Sequence, residues 1–178
     1  VRRGSPPPDA FSRLEPLMSC ACGLDLDFED TGPEGLARGE RLLLWGVRTW
    51  AALRLQGQPA DTTIRAAFAR AASPRTASLF LQTMMLVEGE LVRPLQIQCP
   101  HCVGYAIDEQ RLVTACGLAA AAPGLASRLL SPLVARPDVA AVLVRALNHA
   151  LALDGAPLPV RMGEPVDHAP PVATATLH

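Results

Sequence analysis

The sequence predicts an all-α protein: a compact bundle of about six helices, one irregular cysteine-bearing knuckle and disordered termini. Three observations predict it. Apolar residues recur at the helical period through most of the middle of the chain. Pro and Gly fall at the ends of those periodic segments rather than inside them. The only stretch with strand character, "ELVRPLQIQCPHCVGYAI", is interrupted by Pro94. A length of 178 residues with 49% hydrophobic content suits one domain with a real core. That domain is read as residues 11–155, between a disordered N-terminal tail at 1–10 and a flexible C-terminal tail at 156–178.

The elements follow in order. "FSRLEPLMSCACGLDLDFEDTGPEG" is acidic and aperiodic. A first helix starts at Glu34 and runs to about Leu55, with Leu36, Leu43, Val47, Trp50 and Ala51 on one face. Gly57 and Pro59 end it. Asp61 is the expected N-cap of a second, short helix that carries Ile64, Phe68 and Ala71. Ser73 as N-cap and Pro74 as the first helical residue open a third. That helix is apolar round most of its circumference, so it is expected at the centre of the bundle. After the knuckle, Asp108 is the expected cap of a helix running to about Ala121. A shorter helix covers 123–135, and a last one starts at Pro137 and stops at Gly155.

Charge excludes some functions. The formal net charge is −1, which argues against a strongly basic nucleic-acid-binding surface. Aromatic residues make up only 4% of the chain, which leaves few rings for stacking on bases. No apolar run follows the charged start, and "RLLLWGVRTWAALRL" is too short to span a bilayer and is interrupted by Arg48. The expectation is a cytoplasmic protein with no membrane or nucleic-acid partner. Phosphate-binding glycine loops, nucleophile elbows, His-Glu-x-x-His and EF-hand patterns are all missing from the sequence.

The cysteines make the sharpest chemical proposal. Cys20 and Cys22 form a Cys-x-Cys pair, and Cys99 and Cys102 a Cys-x-x-Cys pair. Zinc takes four thiolates in a tetrahedron at about 2.3 Å, and two such pairs, joined by the fold, supply them. Both pairs lie in the least regular parts of the chain, where a metal staple is most needed. Four thiolates leave no open position for substrate, so the zinc is expected to be structural. His101 could replace one sulfur as an alternative ligand, but it lies between ligand candidates and is expected beside the metal or facing solvent. Cys116, on the apolar side of its helix, is expected in the core.

The tetrapeptide Cys99-Pro100-His101-Cys102 also resembles the active site of DsbA-type thiol oxidoreductases. That resemblance implies a nucleophilic Cys99, a resolving Cys102 and thiol–disulfide exchange as the alternative activity.

Other candidates are weaker. Asp108 and Glu109 are read as cap and dipole partners rather than acid–base groups. His149 borders an apolar helix face, and His168 and His178 fall in the expected tail. Trp45 lies on the wheel opposite Leu43 and Trp50, among Arg38, Arg41 and Arg48. It is read either as covered by a neighbouring element or as the centre of an interaction surface for an unknown protein partner.

Overall fold

Six helices make up the fold: α1 (Arg38–Leu55), α2 (Ala60–Ala71), α3 (Pro74–Glu90), α4 (Ile107–Leu118), α5 (Pro123–Leu130) and α6 (Pro137–Leu153). They come from a computed structural model that describes Phe28 and residues 31–161. Among the described residues there is no sheet, only an isolated antiparallel bridge between Leu91 and Val134. No helix there is long and apolar enough to cross a membrane. The all-α expectation therefore holds, while the tails at 1–10 and 162–178 lie outside the described residues.

Local chemistry sets the helix starts, and not always as expected. Ser73 caps α3 as predicted, its hydroxyl accepting the Thr76 N–H at 3.3 Å. α1 begins at Arg38 rather than Glu34, because Gly35 stands at φ +81°, outside any right-handed helix. Asp61 is not a cap: α2 begins one residue earlier, and Asp61 pairs with Arg65 one turn on at 2.8 Å. Asp108 is not a cap either, since the N-cap of α4 is Ala106. In α1 and α4 an alanine occupies the cap, and a glutamate three residues later reaches back to its N–H. Glu40 does so for Ala37 at 2.8 Å and Glu109 for Ala106 at 2.9 Å.

The helices form two groups of three. α1, α2 and α3 touch one another, as do α4, α5 and α6, and the groups meet where α3 lies on α6 and α1 on α4. Asp154, just past α6, fastens one of these junctions by accepting the Ser73 N–H at 2.9 Å and the Thr76 hydroxyl at 2.6 Å. The central helix is α1 rather than α3. Every residue from Leu42 to Leu53 is buried, Arg48 included, whereas α3 leaves Met85 in solvent. An apolar circumference is therefore a poor guide when a charged residue in the neighbouring helix finds partners inside the fold.

Two further boundaries differ from expectation. α5 stops at Leu130, and the next residues pair with the end of α3 through Val92 N–H to Leu133 C=O (3.0 Å) and Ala135 N–H to Glu90 C=O (2.8 Å). The domain also continues past 155. Ala156 and Leu158 are buried, and Arg161 grips Glu40 at 2.6 and 2.7 Å. Two glycines make room for this strap. A Cβ on Gly39 would lie 2.3 Å from the Ala156 carbonyl oxygen, and one on Gly117 2.5 Å from that of Pro159.

Candidate functional site

The site is built from the segment between α3 and α4. After a bend at Val92 and Arg93, burial alternates along the chain from Leu95 to Cys99, as in an extended segment. Leu91, Leu95, Ile97 and Cys99 face the core, while Val92 and Gln96 face out. Among the described residues no strand lies beside it to take its N–H groups. Two adjacent carboxylates at the start of α4 do so instead. Asp108 accepts the Gln96 N–H and Glu109 the Gln98 N–H, each at 2.9 Å. Alternate N–H groups leave an extended chain on the same edge, so a Gln-x-Gln stretch presents two donors to Asp-Glu.

The chain then turns through Cys99-Pro100-His101-Cys102, closed by the Cys102 N–H to the Cys99 carbonyl at 3.1 Å. Proline at the second position presets the turn's φ. Cys99 and Pro100 are buried, Cys102 is half-buried and His101 is exposed. The Cys102 thiol feels the Cys99 side chain across the turn. Burial pushes the Cys102 thiol up, and the neighbouring Cys99 adds to the rise, against the pull of a Cys99 backbone hydrogen bond and the Arg48 charge.

Arg48 holds the far side of this turn. Its guanidinium donates to the Cys102 carbonyl at 2.5 Å, to the Gly104 carbonyl at 2.6 Å and to both oxygens of Glu109 at 2.8 and 3.0 Å. Both side chains are 0% exposed. The Glu109 carboxylate is saturated: Oε1 accepts from Arg48 and Gln98, and Oε2 from Arg48 and Ala106. A buried ion pair survives only when its remaining hydrogen-bonding capacity is filled, as it is here. Asp108 is held on the flank by Arg93 at 2.6 and 2.7 Å and Arg111 at 3.0 Å. Burial works to raise the Asp108 pKa, but these bonds and the Gln96 N–H outweigh it and hold the carboxyl below its ordinary value. Tyr105, just beyond the turn, is pushed well up by burial and by the nearby Glu40 and Glu109 carboxylates.

Of the cysteines named from sequence, Cys99 and Cys102 are brought together, while Cys20 and Cys22 lie outside the described residues. Among the described residues no group of three or more His, Cys, Asp or Glu side chains is placed to hold a metal. α4 begins at Ile107, five residues after Cys102, rather than at the motif itself. Cys116 is in the core as expected, where burial pushes its thiol up to about 12. His149 is exposed and lines a shallow groove of about 540 Å³ with Val142 and Arg145.

Of the two readings of Trp45, the covered one describes the fold, and the exposed surface centred on it is corrected, although Arg38 itself is exposed. Trp45 is 5% exposed and Arg48 0%, so neither faces solvent. Arg38 stacks on Phe28 and donates to the Ala71 carbonyl at 3.0 Å, and Arg41 donates to the Leu36 carbonyl at 3.3 Å. The helical wheel treats one face of α1 as wet, whereas the fold covers both. The Arg48–Glu109 pair escaped the sequence reading because its members are 61 residues apart. Its one local signal was an arginine in the middle of an apolar helix. No protein-family model, curated protein or solved structure matches this chain.

Proposed function

We propose that the turn at Cys99–Cys102 is half of a structural zinc clasp, completed by Cys20 and Cys22, in a non-catalytic accessory protein. The observation that carries this reading is the closed turn that sets Cys99 and Cys102 at its two ends, its backbone already fixed by the Cys102 N–H to the Cys99 carbonyl and by Arg48. A Cys-x-x-Cys turn of this kind offers two sulfurs to one ion, and zinc needs two more.

The chain can deliver them. A Cβ on Gly32 would lie 2.5 Å from Leu44 Cδ2, and Leu44 precedes Arg48 by one helical turn. That turn rises about 6 Å. Phe28 is joined to Thr31 by a turn and stacks under Arg38, and the six residues from Cys22 to Phe28 span up to about 20 Å when extended, the reach on which the return to the knuckle depends. A reducing, cytoplasmic setting keeps such thiols available to metal.

Metal analysis tests the reading. Full-length protein purified without chelator is expected to carry about one zinc per chain. The Cys20→Ser/Cys22→Ser and Cys99→Ser/Cys102→Ser variants are each expected to lose it. A wild-type chain that takes up no zinc, or a Cys20→Ser/Cys22→Ser variant that keeps it with wild-type affinity, contradicts the proposal.

A further inference from the structure

We infer that Arg48 is the positioning residue of the metal knuckle, acting through the carbonyls of Cys102 and Gly104 with Glu109 as its anchor. The inference rests on the zinc reading above but concerns a residue that contributes no ligand. Arg48 comes from the middle of α1, yet two of its three kinds of partner are knuckle backbone. If the pair served only to join α1 to α4, the bidentate contact with Glu109 would suffice. An apolar pair of similar volume would join the helices at no greater cost.

The geometry of the grip explains what it does. A planar guanidinium donates in fixed directions, so one group sets the positions of both carbonyls at once. With the carbonyls of Cys102 and Gly104 turned to Arg48, the turn cannot roll to aim carbonyl oxygens at the sulfurs. Glu109 then fixes the approach to the turn through Gln98 and the exit through Ala106. Entry, tip and exit are held by one ion pair. The turn therefore meets the metal with its backbone already ordered, and ordering it need not be drawn from the binding energy. Groups that hold ligands in this way typically contribute about 10–100-fold to metal affinity. The buried cation also faces a site that four thiolates and one zinc would leave with net negative charge.

The test uses the full chain loaded with zinc, or with Co²⁺ as a spectroscopic reporter of ligand geometry. In Arg48→Met/Glu109→Gln both charges leave together, so neither is stranded. The double variant is expected to keep its helical circular dichroism, bind zinc about 10–100-fold more weakly in chelator competition and show an altered Co²⁺–thiolate spectrum. Arg48→Lys keeps the charge but loses the fork, and guards against a double variant that does not fold. It too is expected to bind more weakly, with a shifted Co²⁺ band. Wild-type affinity together with a wild-type spectrum in either folded variant overturns the inference alone. A wild-type chain that binds no metal removes the zinc reading, and this inference with it.

Discussion

At the scale of single residues, the fold relies on carboxylates that accept backbone N–H groups, a task a neighbouring strand performs in a sheet. Asp108 and Glu109 look like ordinary helix-start residues in the sequence, and Glu109 does perform that task. What the sequence concealed is that both also receive the N–H groups of the preceding extended segment. No spacing rule joins Gln96 and Gln98 to a helix that begins nine residues later. A pH dependence follows. A group whose folded pKa lies below its unfolded value contributes stability above the unfolded value, about 3.9 for aspartate, and loses it as pH falls through the folded one. Asp108 is such a group, and Asp154 another, because hydrogen bonds from Thr76 and Ser73 outweigh the effect of its burial. Urea midpoints of the wild type are therefore expected to hold steady near neutrality and fall as pH drops below about 4. Asp108→Asn, less stable at pH 7, is expected to show a shallower fall. An acid limb equally steep in the variant would mean that Asp108 does not contribute to it.

At the scale of elements, helices were legible wherever period and punctuation agreed. Ser73-Pro74 fixed the start of α3, and Pro137 with Gly155 framed α6, because those residues act on the backbone within one turn. Centrality was not legible, since it depends on what lies opposite. The strap at 155–161 was hidden for a related reason. "GAPLPVR" has no period, and its docking depends on small residues in two distant helices. Gly39→Ala and Gly117→Ala each push a methyl group against fixed backbone rather than a yielding side chain, and are expected to cost about 1–3 kcal/mol. With the strap displaced, the Arg161–Glu40 contact weakens. Trypsin cleavage after Arg161 is expected to accelerate in both variants while the helical signal persists. Unchanged cleavage and stability would show that the strap can move aside at no cost.

At the scale of the whole molecule, composition and periodicity were enough to predict an all-α bundle. They were not enough to show that the cysteine-bearing loop hangs from the buried centre of α1. The apparent interaction surface around Trp45 dissolved in the same step, because the arginine that seemed to mark it points inward to the loop. What remains is a bundle of two three-helix groups with a turn that carries two cysteines, fixed on one side by a buried ion pair. A zinc ion bound there by all four cysteines would tie the chain before Phe28 to the junction of α1 and α4. X-ray absorption at the zinc edge of the purified full-length protein tests this most directly. The account predicts a first shell of four sulfurs at about 2.3 Å, reduced to two when Cys20 and Cys22 are replaced by serine and zinc is added back. A wild-type shell with only two sulfurs, or one dominated by nitrogen and oxygen, would contradict it.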